Sequence, residues 1–250
     1  MTLALFGAAL LLAAPETYTL RHRFEKRMVC EETTERELLY VQMKWDASSV
    51  ETLRRTVEET DGSDHPTVER VEVLKFARTE RIEGRADPLT VIDPAQGRTF
   101  VWRRLKERWG LFDASGEVSD GYAKLVEQLK SWRDARMPKE PVAVGGTWEV
   151  SVAAFLEASG QPVPEGTTGL ARFSLDEVKG DVATISFRFV AEMRLEGKLT
   201  TSELKGTLRF DVKRGRDLGY ESEGTVRVEG VEGEPGTFRL RRSVAYRDSR

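Results

Sequence analysis

From Ala183 onward every second residue is apolar: Ala183, Ile185, Phe187, Phe189, Ala191, Met193 and Leu195 alternate with mainly polar Thr184, Ser186, Arg188, Glu192 and Arg194. A period of two over that length marks a strand with one buried face. The next run repeats it. Leu204, Gly206, Leu208, Phe210 and Val212 fall on one side, and Lys205, Thr207, Arg209, Asp211 and Lys213 on the other. Leu218, Tyr220, Val226 and Val228 continue the pattern, and Phe238, Leu240, Val244 and Tyr246 close it. Ahead of these runs lie Trp148, Val150 and Val152, then Phe173 and Leu175. The breaks between runs are short and carry glycine, as in Lys179-Gly180-Asp181, Glu196-Gly197-Lys198 and Arg214-Gly215-Arg216. Such breaks join antiparallel neighbours, because a parallel crossover needs about a dozen residues. The second half is predicted to be an antiparallel meander of about six strands.

The first half is strand-like with more interruptions. Tyr18, Leu20, His22 and Phe24 alternate with Thr19, Arg21 and Arg23, and Leu39, Val41, Met43 and Trp45 form a second run. Val50 to Thr60 carries two signals. Ser48 ahead of Glu51, with Val50, Leu53 and Val57 at helical spacing, fits a capped helix. The β-rich surroundings and the Asp61-Gly62 turn favour a strand. Val68 to Arg78 is a further strand, and Thr99 to Phe112 reads as a hairpin turning near Lys106-Glu107. One helix is predicted, at about 119–134: Ser119 is its N-cap, and Tyr122, Leu125, Leu129 and Trp132 share one face. It ends before Pro138, and Met137-Pro138-Lys139-Glu140-Pro141 reads as an extended linker. The expected fold is mainly β: a strongly curved antiparallel sheet or half-barrel of about ten or more strands with one principal helix. The parts are 1–15, 16–136, a Pro/Gly linker at 137–147, and 148–250, with the last joined to the N-terminal part as one continuous domain.

Composition narrows the function classes. The 39 basic and 42 acidic side chains leave a net charge of −3, whereas nucleic-acid binders carry a basic excess. Cys30 is the sole cysteine, which excludes an intramolecular disulfide, a C-x-x-C redox centre and a multi-cysteine zinc site; it reads as a small buried hydrophobe. There is no G-x-S-x-G elbow, phosphate-binding glycine loop or H-E-x-x-H. The chain has two histidines. His22 shares the apolar register of Leu20 and Phe24. His65 sits in the oxygen-rich stretch Glu59 to Pro66, whose spacing does not match an EF-hand loop and reads as a solvated turn. No catalytic residue, cofactor or metal ligand emerges, and a non-enzymatic protein is expected.

Arg98, Arg103, Arg104, Lys106 and Arg108 interleave with Phe100, Trp102 and Trp109. They form either a patch for an anionic polymer or lipid headgroup, or the outer face of a hairpin with its aromatics turned inward. Arg242 shares the register of Leu240 and Val244. It either faces a buried partner, because an unpaired guanidinium is costly there, or is turned outward by a bulge.

Leu3 to Ala14 is apolar throughout. It is too short for a membrane span, which takes about 20 residues, and fits the core of a secretory signal. The absence of Lys or Arg before it, and Pro15 after it, depart from that pattern; the alternative is a buried first element. An exported protein, periplasmic or extracellular, with no transmembrane segment is expected.

Asp113-Ala114-Ser115-Gly116, the helical stretch, and Pro138-Lys139-Glu140-Pro141-Val142-Ala143-Val144-Gly145-Gly146-Thr147-Trp148 stand out. This D-x-x-G … P-x-x-P-V-x-V-G-x-x-W arrangement resembles a group of uncharacterised exported bacterial β-rich proteins, a domain of unknown function. The architecture is also similar to half-barrel envelope carriers of lipoproteins or lipids. That likeness implies a cavity wall, for which His22, Tyr122, Leu125, Leu129, Trp132, Phe187, Phe189 and Arg242 are the candidates. The implied partner is a lipid or other apolar ligand, or an envelope protein. A structural or protein-interaction domain with a packed interior is the other reading.

Overall fold

The structure is a computed structural model that describes residues 15–40, 45–62, 65–83, 87–105, 108–118, 136–158, 163–195 and 197–247. The Leu3–Ala14 segment and the helix expected at 119–134, with Tyr122, Leu125, Leu129 and Trp132, lie outside those residues. Strand accounts for 69% of the described residues, in fifteen strands with one short helix, and the sheet does not close into a barrel. The mainly β expectation is met.

In chain order the strands are β1 Thr17–Tyr18, β2 Val29–Tyr40, β3 Trp45–Thr60, β4 Pro66–Ile82 and β5 Leu89–Ile92. Next come β6 Thr99–Leu105, β7 Arg108–Asp113, β8 Gly116–Glu117, β9 Val142–Ala143 and β10 Thr147–Ser151. After helix α1, Val152–Ala158, follow β11 Thr168–Lys179, β12 Val182–Leu195, β13 Lys198–Asp211, β14 Arg216–Val228 and β15 Gly236–Arg247. Strands β1 and β9 pair with each other. The other thirteen form one sheet in the order β10-β11-β12-β13-β14-β15-β2-β3-β4-β6-β7-β8, with β5 beside β4. The meander thus joins the N-terminal strands through its last strand: Phe238 lies opposite Leu38 and Tyr246 opposite Cys30.

Register assigns the faces. The row Phe173–Phe187–Gly206–Ser222–Leu240–Arg36–Ser49–Arg78 runs across eight strands on one side. This inner face carries three apolar clusters. One gathers Leu53, Val71, Val73, Phe100, Trp102 and Leu111 from β3 to β7. A second gathers Phe173, Leu175, Ile185, Leu208 and Phe210 from the meander, with Leu20. The third packs Phe24 and Met28 on Val57. Outer positions carry cross-strand ion pairs such as Arg188–Glu203 at 2.6 Å and Lys205–Glu223 at 3.2 Å. Exposed pairs like these add little stability but keep the outer face wet.

Val50–Thr60 is strand, within β3. Three expectations need correction. The Tyr18–Phe24 run is strand over Thr17–Tyr18 alone. Leu20, His22 and Phe24 are still buried alternately, but the segment crosses the sheet's inner side with single backbone bonds, such as Arg23 N–H to Gly215 O at 3.0 Å. The Leu39–Trp45 run is divided: β2 ends at Tyr40, and Trp45 opens β3 directly opposite it. Val152 is not strand but the first residue of α1, because the Ser151 hydroxyl caps a helix there by accepting from Ala154 N–H at 3.1 Å.

The basic run from Arg98 is a hairpin that turns Phe100 and Trp102 inward. Phe100 and Trp102 are buried, Arg98 pairs with Asp113 at 2.5 Å, and Arg104 pairs with Asp61 at 3.4 Å. The D-x-x-G stretch is a tight turn. Asp113 accepts from the Ser115 amide at 2.8 Å and its hydroxyl at 2.5 Å, and these bonds, aided by Arg98, hold its carboxyl below the usual value. His65 closes the β3–β4 turn, its amide donating to Asp61 at 3.1 Å.

Candidate functional site

A pocket of about 210 Å³ opens on the inner face of the meander. Its lower row is Leu208 and Tyr220, its middle row Phe173, Phe187, Ser222 and Leu240, and its upper row Ala171, Phe189, Leu204 and Phe238. Phe155 of α1 closes one side, with its ring edge to Phe189 at 6.3 Å. Two inner positions beside the pocket carry no side chain, and a Cβ at either would run into a neighbouring strand's backbone, at Glu221 O for Gly206 and Glu203 O for Gly224. A Cβ on Gly206 would meet the Phe187 ring at 2.6 Å, and one on Gly224 would meet Leu204 at 2.7 Å. Glycine at both lets the large side chains lean over the backbone rather than stand apart from it.

Among the described residues Arg136 is the one charged side chain lining this pocket, and it is only 3% exposed. Several contacts position it. Its carbonyl accepts from the Trp148 indole N–H at 2.8 Å, and that indole stacks on Phe173 at 5.4 Å. Its guanidinium lies over Tyr220 at 5.7 Å and donates through Nη2 to Asp217 Oδ2. Asp217 Oδ1 accepts from His22 Nε2 at 3.0 Å. A register shift in the β13–β14 pairing, which sets Phe210 opposite Asp217, turns this carboxylate to the inner face.

A second buried ionic set lies across β15, β2, β3 and β4. Glu32 accepts from Arg242 at 2.6 Å and from Arg55 Nε at 3.2 Å, while Arg55 Nη1 reaches Glu69 at 3.5 Å. Neighbouring Glu51, also buried, pairs with Arg36 at 3.3 Å. Burial pushes the Glu69 carboxyl above its ordinary value, and Arg55 pulls it partly back. A carboxyl raised on folding holds its proton more tightly folded than unfolded. Its contribution to stability is therefore complete below the ordinary value of 4.5 and is lost as pH rises through the folded value. The stability of wild type relative to Glu69→Gln is thus expected to fall as pH rises from about 4 towards 8, read from urea midpoints. A difference that stays flat would show that Glu69 does not titrate in this window.

Of the residues expected to form a cavity wall, Phe187 and Phe189 line the pocket. His22 stands behind it as a support for Asp217. Arg242 faces inward, directly opposite Tyr220 in the ladder, but pairs with Glu32 and is not part of the lining. Tyr122, Leu125, Leu129 and Trp132 fall outside the described residues. Arg136, Tyr220, Ser222 and Asp217 were not anticipated. A wider groove of about 810 Å³ lies over the outer face, bordered by Glu37, Lys205, Glu223 and Arg239. Across strands there, Arg239 pairs with Glu37 at 3.7 Å and Lys205 with Glu223 at 3.2 Å. No group of three or more His, Cys, Asp or Glu suited to a metal ion is found among the described residues.

The fold and pocket define a large open antiparallel sheet whose apolar face is hollowed on one half. No protein-family model matches the chain, and no curated protein matches it in sequence. Among solved structures it is similar to a lipovitellin chain, described under the words lipid–protein interactions in lipovitellin. The match has a TM-score of 0.53 and 6% identity over 90% of this chain. The chain spans about a quarter, 26%, of that lipovitellin chain. An identity so low shows shared fold alone.

Proposed function

We propose that this chain is a non-enzymatic, exported envelope protein that holds the apolar part of an amphiphile or lipid. The pocket carries the reading: a partly open hollow, lined among the described residues mainly by aromatic and aliphatic side chains, in a sheet folded like part of a protein whose description concerns lipid–protein interactions. At about 210 Å³ it lies below the roughly 300–1,000 Å³ of sites that engulf a whole small ligand. It therefore takes one chain segment, with the rest of the ligand outside. Export is supported by the apolar Leu3–Ala14 stretch.

The test is a titration with an apolar fluorescent probe, followed by displacement with straight-chain amphiphiles of increasing length. Saturable binding is expected, with affinity rising about fourfold per added methylene, equivalent to about 0.8 kcal/mol each, until the pocket is full. Ser222→Trp, which fills the middle row, should lower probe affinity at least tenfold, about 1.4 kcal/mol, with the β circular-dichroism signal unchanged. Absence of a saturable site in the wild type would sink the reading and favour a packed interaction domain. Mass spectrometry of protein recovered from the envelope or medium of its native source gives an independent check for a co-purifying amphiphile.

A further inference from the structure

Strand β5 is Leu89-Thr90-Val91-Ile92, and all four residues are exposed. Leu89 is 42%, Val91 46% and Ile92 62% exposed. One edge of β5 pairs with β4, and among the described residues no strand pairs with the other edge. The Asp93 amide donates to Phe76 O at 2.9 Å, which sets the phase of the ladder. Leu89, Val91 and Asp93 turn their backbone groups towards β4, and Thr90 and Ile92 turn theirs away from it. The Thr79 and Thr90 hydroxyls, 3.2 Å apart, fit that phase, because side chains approach closest at a pair without backbone bonds. Proteins usually blunt such an edge with charge, proline or a bulge. At the two ends of the sheet, β8 is two residues long and carries Glu117, and β10 presents Glu149, paired with Arg172 at 2.6 Å. β5 has no charged residue and no register shift.

We infer that β5 pairs with β5 of a second copy of this chain, antiparallel, about a two-fold axis through Val91 and normal to the sheet. The occupant is read from the residues that bracket the strand: Asp87-Pro88 before it and Asp93-Pro94 after it. When Val91 faces its own counterpart, Thr90 of each copy faces Ile92 of the other, and the two exchange N–H···O bonds. The outward backbone groups of the strand are then all used. Pro88 in turn faces Pro94 of the other copy. Neither has an N–H to donate, so the ladder stops in step at both ends. Sliding the register by two residues sets Pro88 against Ile92 or Pro94 against Thr90 and forfeits bonds. The same register keeps like charges from facing each other, because Asp93 meets Leu89 and Asp87 meets Ala95. The contact is isologous and closes at two copies, with both inner faces on the same side. A strand of an unrelated protein would have no use for this symmetry.

Cysteine cross-linking of the full chain tests the register. Val91→Cys sets two thiols on directly opposed residues whose Cα atoms lie about 4.5 Å apart, within reach of a disulfide. Thr90→Cys sets its two thiols on a diagonal of about 7–8 Å, beyond that reach. Cys30 is buried, so the introduced thiol is the one that reacts. Under mild oxidation Val91→Cys is expected to form covalent dimer at least about tenfold faster than Thr90→Cys. A mixture of Thr90→Cys and Ile92→Cys should cross-link faster than either alone. Thr90→Pro removes an outward N–H and no bond to β4, and should weaken self-association seen by sedimentation by at least about tenfold. Equal rates for Val91→Cys and Thr90→Cys would overturn the pairing. So would the absence of cross-links with a monomeric wild type, which would leave the edge to a strand of another protein. If Thr90→Pro fails to fold, the cysteine contrast decides. Probe binding in the meander pocket, read on the same samples, is independent: its absence would sink the ligand reading and leave the pairing result standing.

Discussion

Asp217→Leu is expected to cost about 3–5 kcal/mol of stability, the usual result of removing one partner from a buried ion pair. Asp217 is 2% exposed and accepts from two buried bases. Leucine comes close to its bulk but takes away the carboxylate that Arg136 and His22 share. At roughly 2–4 °C per kcal/mol for a chain of this size, the melting temperature should drop on the order of 10 °C. Asp217→Asn keeps hydrogen-bonding oxygen and nitrogen in place and should cost less. His22→Leu should also cost less, because Asp217 then retains Arg136. A loss below about 1 kcal/mol for Asp217→Leu would mean that water reaches the cluster and that its charges behave as surface groups.

The second large effect is expected from Phe100→Ala. Phe100 is fully buried in one apolar cluster with Leu53, Val71, Val73, Ala95, Trp102 and Leu111. Truncating a phenylalanine in such a site typically costs about 3–5 kcal/mol, from lost transfer energy and the cavity left behind. The cluster lies on β3–β7, whereas the pocket is built on β11–β15. Probe binding well below the melting point should therefore be unchanged. If affinity falls along with stability, the two halves of the sheet respond as one unit, and the pocket depends on packing several strands away.

The meander was legible because its alternation is nearly unbroken. β12 and β13 follow the Ala183–Leu195 and Leu204–Val212 runs, and alternation alone puts Phe187 and Phe189 on the inner face. Arg242 was readable as an inward charge needing a partner, yet nothing near it in sequence names Glu32, which comes from a strand at the other end of the chain. The rest of the ionic set was hidden for the same reason. Glu32, Arg55 and Glu69 look like ordinary outer-face charges until β2, β3 and β4 are laid side by side. The clue was parity: Glu32 and Thr34 share the register of Cys30 and Leu38. Asp217 could not be assigned from pattern, because the register shift beside it changes which residues face inward. Arg136 follows directly on residues that lie outside those described, and its place in the wall comes from tertiary contacts alone. The α1 cap at Ser151 was available, but Trp148, Val150 and Val152 continue a period of two up to its first residue, and the strand signal prevailed.

The pairing of β2 with β15 has a consequence for the order in which the protein can be made. β3 is translated immediately after β2 and can protect one edge of it within a hairpin. The other edge of β2 has to wait for Gly236–Arg247, which leaves the ribosome after every other strand. During that interval β2 offers twelve residues of unpaired backbone, the kind of edge that templates wrong partners. The growing chain thus carries an open seam through most of its synthesis, and a holding chaperone or rapid completion of the last strand would be what keeps it from being closed by another molecule.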